Sequence, residues 1–253
     1  MRDLSEFFRK NGKAALAFSG GVDSSFLLWA GKHFGADIKA YYVKTLFQPE
    51  FELEDAKRLA ADIGADMKII YADVLADENV RSNPADRCYH CKRLIFSAIL
   101  SAAEEDGNNL VLDGTNASDD ADDRPGMKAL RELHVRSPLR ECGLTKDRIR
   151  ELSKEVGLFT WDKPAYACLA TRIPTGRHIT PELLQRTEKA EALLSSMGFS
   201  DFRIRLMGDA AKLQIKESQL TLLADKRSEI VKQLGPLYSD VVLDLKVTRR
   251  TTT

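Results

Sequence analysis

The stretch that most constrains this 253-residue chain is Ser19-Gly20-Gly21-Val22-Asp23-Ser24-Ser25. An apolar run, Ala14-Ala15-Leu16-Ala17-Phe18, leads into it and reads as a short buried strand. Behind it Phe26, Leu27, Trp29, Ala30 and Phe34 recur at helical spacing, so a helix is expected to start near Asp23. A strand, a glycine turn and a helix N-terminus leave a concave nest of unpartnered backbone N–H groups. The helix dipole is positive there, which suits an anion. Gly20 and Gly21 let the main chain approach phosphate oxygens that a Cβ would hold off, and Ser19 and Ser24 add two hydroxyl donors. The bland alternative is a Gly-Ser turn with Asp23 as an N-cap.

No Gly-Lys-Ser/Thr closes this loop, so it is not a Walker motif. Its S-G-G-x-D-S order resembles the PP-loop of ATP pyrophosphatases, which cleave between the α and β phosphates. That resemblance implies adenylation of a substrate with pyrophosphate leaving. ATP would then be held by Ser19, Gly20, Gly21, Val22, Asp23 and Ser24, with Asp23 also a candidate for Mg²⁺.

The length allows one large domain or two modest ones. Hydrophobic content of 43% and charged content of 30% are those of a soluble globular protein. Lys plus Arg and Asp plus Glu balance at 38 each, so no global basicity recruits nucleic acid, which is not expected as a partner. No run approaches a membrane span and the start of the chain has no signal-peptide core. The expected compartment is the cytosol, with no membrane partner. Four cysteines then read as thiols or metal ligands rather than a disulfide framework.

Along the chain, an amphipathic helix is expected over 3–10, strands over 38–43, 67–71 and 109–112, and helices over 52–63 and 91–104. Strands alternating with helices at this spacing predict an α/β fold with a parallel sheet covered on both faces, in the Rossmann-like manner. Ligands in such sheets sit beyond the carboxyl ends of the strands, where Ser19, Lys44 and Gly114 would emerge. Gly114 would let backbone approach the ribose or α-phosphate. Lys44 reads equally as a nucleotide contact or a solvated strand end. A helix over 145–156 ends at Gly157, and Trp161-Asp162-Lys163-Pro164 breaks the pattern. The domain boundary is placed there, giving a nucleotide domain over 1–160 and a small α+β domain over 161–253. That second domain is expected to hold helices over 181–197 and 220–234 and strands over 202–206, 211–215 and 241–245, with a frayed tail at 249–253.

Cys168 lies in Lys163-Pro164-Ala165-Tyr166-Ala167-Cys168-Leu169-Ala170-Thr171-Arg172-Ile173-Pro174-Thr175-Gly176, where prolines at both ends argue for an ordered loop. Arg172, four residues on, is a cation placed to favour the thiolate. A lone cysteine is more often a small buried apolar residue, but an adenylating enzyme needs a nucleophile to accept the acyl group. Cys88 and Cys91 form a Cys-x-x-Cys pair within reach of one metal, though no second pair completes a zinc site; a redox dithiol is the alternative. Cys142 is expected to be structural, and His33, His134 and His178 to be surface or satisfied histidines. The acidic run Asp119–Asp123 reads as a solvated loop, with Asp119 or Asp122 the lesser possibility of a metal ligand. Arg203 and Arg205 share a strand face, and their bland reading is solvated charge.

Taken together, SGGVDSS, NPADRCYHCK, DGTNASDDADDRPG, SPLRECGLTKDRIR, WDKPAYACLATRIPTGRHIT and the 202–205 strand resemble the LarE family over nearly the whole chain. These are ATP-dependent sulfur transferases of nickel-pincer nucleotide cofactor synthesis. The resemblance implies that Mg-ATP adenylates a carboxylate of pyridinium-3,5-biscarboxylic acid mononucleotide, that a cysteine displaces AMP, and that C–S cleavage leaves a thiocarboxylate. Cys168 matches the sulfur position, with Arg172, Arg203 and Arg205 orienting the small mononucleotide substrate. Family members either sacrifice the cysteine or are thought to hold a 4Fe–4S cluster on three cysteines, here Cys88, Cys91 and Cys168. Family members commonly form homo-oligomers. The rival readings are an amidotransferase, a tRNA-thiolating enzyme and a non-catalytic ATP-binding regulatory module.

Overall fold

The computed structural model describes residues 2–119 and 125–246. The acidic run beyond Asp119, Asp122 included, and the 249–253 tail lie outside the described residues. The chain forms two compact units. One takes the chain to Val74 and Asp86–Ala165; the other joins Leu75–Ala85 to the chain from Tyr166 onward.

The first unit runs α1 (Arg2–Lys10), β1 (Lys13–Ala17), α2 (Val22–His33), β2 (Asp37–Lys44), α3 (Glu50–Ile63) and β3 (Met67–Tyr71). After α4 (Glu78–Arg81), which belongs to the second unit, come α5 (Arg87–Glu105), β4 (Val111–Leu112), α6 (Pro125–Glu132), α7 (Pro138–Glu141) and α8 (Lys146–Glu155). The four strands make a parallel sheet in the order β3-β2-β1-β4. Beyond the two residues of β4, Leu112 bridges to Arg136. Strand period divides the core: Ala14, Leu16, Ile38, Ala40 and Tyr42 face α2, α3 and α8, while Ala15, Tyr41 and Val43 face α5 and α6. Burial on both faces is why β1 reads as an unbroken apolar run.

Local rules set most element ends. Gly64 closes α3 in the left-handed conformation (φ 67°) with its N–H on the Ala60 and Ala61 carbonyls. Thr145 caps α8 by accepting the Arg148 N–H at 3.4 Å. The cysteine pair spans the first and second turns of α5, which starts four residues before the expected Cys91. Helices α4, α6 and α7 carry too few residues for a periodic signal and were absent from the sequence reading.

In the second unit, α9 (Pro181–Ser196) precedes β5 (Arg203–Met207), β6 (Ala210–Gln214), α10 (Leu220–Leu234) and β7 (Val241–Leu243). Strand β6 pairs antiparallel with β5 and parallel with β7. Ile204, Leu206, Ala211 and Leu213 are buried, whereas Arg203, Arg205 and Lys212 on the alternate positions are half-buried. Among the described residues, no helix is long and apolar enough to cross a membrane.

Candidate active site

The Ser19–Ser25 loop leaves β1 and enters α2 as expected. Gly20 is left-handed (φ 69°), and a Cβ there would meet the Ala56 Cβ of α3 at 3.1 Å. Gly21 is the N-cap of α2 and contributes no side-chain cap, so the first-turn amides are not closed off by the cap. The hydroxyls brace the turn: Ser19 N–H donates to Ser24 Oγ at 3.3 Å, Ser24 Oγ to the Gly21 carbonyl at 3.3 Å, and the two Oγ atoms lie 3.1 Å apart. Gly114 follows β4, and a Cβ on it would sit 2.9 Å from Ser24 N. The 114 loop therefore lies directly against the start of α2.

Asp23 carries the site's carboxylate. Its Oδ2 accepts from Lys146 Nζ at 2.5 Å, while Oδ1 is buried with no partner. Burial holds this carboxyl above the usual range; Lys146 opposes the shift and Asp119 adds to it. An orphaned carboxylate oxygen beside a phosphate cradle fits a hard cation such as Mg²⁺. Asp119 Oδ2 accepts the Asn116 N–H at 2.9 Å. Lys163, missed in the sequence reading, pairs with Asp55 at 2.7 Å and reaches the Gly20 carbonyl at 3.5 Å. Arg150 holds its main chain through the carbonyls of Trp161 and Lys163. Lys44 is at the carboxyl end of β2, but its ammonium is spent on the Gln48 carbonyl (2.6 Å) and Glu50 (3.1 Å).

In the second unit, Cys168 is the N-cap of a one-turn 3-10 segment, Leu169–Arg172. Its carbonyl accepts from Thr171 N–H (2.9 Å) and Thr171 Oγ1 (2.7 Å). Arg172, expected at the substrate, is 1% exposed and committed elsewhere. Its Nε and Nη2 donate to the two Glu191 oxygens at 2.7 and 3.2 Å, and Nη1 to the Ala167 carbonyl and Thr171 Oγ1. Glu191 also accepts from Tyr166 OH and from Ile204 N–H. Burial alone would depress the Arg172 guanidinium, but the bonds to Glu191 outweigh it and raise its pKa. Tyr166 and Cys168 lie close enough to add to that rise.

Arg205 donates to the Thr171 carbonyl (2.7 Å) and to Gln214 (2.8 Å). Burial, then the guanidiniums of Arg203 and Arg172, lower its pKa. The Arg203 side chain makes no hydrogen bond or ion pair among the described residues, while its main chain pairs with Gln214. The result is a positively charged strand face next to the 3-10 turn, with Arg203 uncommitted. Cys88 is exposed, with Arg87 Nη2 3.6 Å from its sulfur, and Cys91 is buried. Among the described residues, no group of three or more His, Cys, Asp or Glu side chains gathers as a metal site. Cys142 packs on the core, where burial, Asp3 and Glu141 raise its thiol pKa, as a structural residue would have it. His33 stacks on Trp29, and His178 faces Glu78 at 3.5 Å.

A strand–SGGVDSS–helix cradle on a parallel α/β sheet defines the class: an ATP-using PP-loop enzyme. The relatives narrow it. The chain is 32% identical to the pyridinium-3,5-bisthiocarboxylic acid mononucleotide synthase of Lactiplantibacillus plantarum, over 92% of this chain and 86% of that one. It therefore belongs to the LarE family. A Synechocystis protein is 36% identical over 97% of this chain and 93% of its own. A tRNA-specific 2-thiouridylase of Clostridium botulinum is 29% identical over 60% of this chain and 52% of its own. No protein-family model matches the chain.

Proposed function

We propose that this enzyme adenylates a carboxylate of pyridinium-3,5-biscarboxylic acid mononucleotide and converts it to a thiocarboxylate, with Cys168 as the sulfur donor. The likeness to the Lactiplantibacillus synthase, which runs through both units, carries this reading. The substrate carboxylate attacks the α-phosphorus of ATP, pyrophosphate leaves, and an acyl-adenylate forms. The first-turn amides of α2, with Ser19, Gly20, Gly21, Val22, Asp23 and Ser24 around them, stabilise the charge that develops on the leaving group. Gly114 supports the α-phosphate side of the cradle, and Lys44 lines its β2 edge. A Mg²⁺ ion, held by Asp23 through Oδ1, would neutralise phosphate charge.

The Cys168 thiolate then attacks the acyl carbon and AMP departs with the bonding electron pair, leaving a thioester. Removal of the Cys168 Cα proton breaks its Cβ–S bond, releasing the thiocarboxylate and leaving dehydroalanine. Arg203 and Arg205 hold the anionic substrate, since a planar guanidinium suits a phosphate or carboxylate. Arg172 acts from within: buried on Glu191, it positions the 167–171 main chain and supplies positive charge near the thiol. A cluster on Cys88, Cys91 and Cys168 is the alternative sulfur source.

The test incubates purified protein with Mg-ATP and the biscarboxylate mononucleotide. Pyrophosphate, thiocarboxylate and a mass deficit of one H₂S at Cys168 are expected. Thiolated tRNA in place of that product would move the enzyme beside its thiouridylase relative. Thiocarboxylate without the mass deficit, from protein that binds iron and sulfide, would move the sulfur source to a cluster.

A further inference from the structure

Residues 75–85 leave the nucleotide unit after Val74 and return to it at Asp86, immediately before the cysteine pair of α5. In between they pack with the second unit, against the stretch that follows Cys168. Asn83 is the centre of that packing. Its side chain is 1% exposed, and Nδ2 donates to the Pro174 carbonyl at 2.8 Å and the Ile173 carbonyl at 3.3 Å. Its own carbonyl accepts the Gly176 N–H at 2.8 Å, and the Arg81 carbonyl accepts the Ile179 N–H at 2.8 Å. Asn83 is also left-handed, φ 55°. Asparagine tolerates that conformation better than most residues. It can therefore supply both the backbone shape and a two-donor amide.

The Cys168 segment is thus fastened at two neighbouring places downstream of the cysteine. Glu191 and Arg205 hold Thr171 and Arg172, while Asn83 holds Ile173, Pro174 and Gly176. The residues from 173 to 176 belong to no helix or strand, so these bonds replace a ladder. We infer that Asn83 is a positioning residue for sulfur transfer: it fixes the downstream half of the Cys168 loop so that the thiol, rather than water, takes the acyl group from the adenylate. This rests on the proposed function. A loosened loop leaves adenylation intact and lets the acyl-adenylate hydrolyse to carboxylate and AMP.

Two variants separate the amide from the backbone. N83G accepts a positive φ without the amide; N83D keeps the size but offers oxygen where two carbonyls need donors. In single-turnover reactions, substrate-dependent pyrophosphate release should stay within about twofold of wild type while thiocarboxylate per pyrophosphate falls about a hundredfold. Equal loss of both, which a merely structural role would give, overturns the inference, as does an unchanged ratio. A second readout needs no turnover: iodoacetamide should alkylate Cys168 several times faster in both variants, with Cys142 unchanged as the internal reference. An unaltered Cys168 rate also overturns it. Absence of pyrophosphate release in wild-type protein would count against the proposed function instead, and the alkylation rates would still decide the role of Asn83.

Discussion

The Ser19–Ser25 loop and the Tyr166–Gly176 segment are both held in a fixed shape, and by opposite means. The first is built from main chain. Its side chains are small, its shape comes from a left-handed glycine and a helix start, and the bonds that brace the turn itself span at most five residues, with Lys146 and Lys163 added from outside. The second is built from buried side chains whose partners lie 19 residues downstream at Glu191 and about 90 upstream at Asn83. A cradle for an anion needs amides and room, which local sequence supplies. Under the proposed function the second segment holds a reactive thiol, which needs a rigid wall, and this chain makes one from a buried ion pair and a buried amide. Such a pair stabilises little relative to a hydrophobic replacement, but it is costly to break from one side.

Four experiments test that contrast. Cys168→Ala should have the largest effect, taking thiocarboxylate to background while pyrophosphate release persists; product from this variant would remove the second segment from the chemistry. Next, Glu191→Leu strands a buried guanidinium and should cost about 3–5 kcal/mol of stability by urea denaturation. Adding Arg172→Met should return much of that loss, whereas additive losses would mean the two side chains do not act as a pair. Gly114→Ala pushes a methyl group toward Ser24 N and should cost about 1–3 kcal/mol, in ATP affinity by calorimetry or in stability. Unchanged binding and melting would show that the loops can part freely.

The smallest effect is in acid, and it compares one carboxylate from each unit. Asp106 is held at about 2 by hydrogen bonds from Lys39 and Tyr41, and Asp244 at about 2 by Gln214 and Lys212. Both folded values lie below the unfolded carboxylate value of about 3.9, so each contribution is complete above that pH. It is lost as the pH falls from about 4 toward 2. Asp106→Asn and Asp244→Asn should each flatten the acid limb of urea midpoints in that window. Identical limbs in wild type and variants would show that neither carboxylate contributes.

Much of this was legible in the sequence, for reasons particular to each piece. Strand β1 announces itself because apolar residues fill both faces, and Gly64 and Thr145 mark helix ends by local chemistry. The loop at Ser19 is readable because its function depends on backbone shape. Arg172 shows the limit. Its sequence position beside Cys168 suggests a charge facing substrate, yet Glu191, on a helix not yet begun at that point in the chain, draws it under the surface. Lys146 and Lys163 reach the cradle from more than a hundred residues away, so no spacing rule marks them. Nor does any local pattern assign residues 75–85 to the second unit, because the bonds that hold them there are all long in sequence.

The missing side chain of Gly114 leaves a bare point of tangency between two segments ninety residues apart. Where surfaces meet without a spacer, neither can drift alone: any methyl gained on the 114 loop has to be matched by a retreat at the head of α2. The two stretches are then best treated as a single heritable patch, and a designer grafting this cradle onto another sheet would have to carry both.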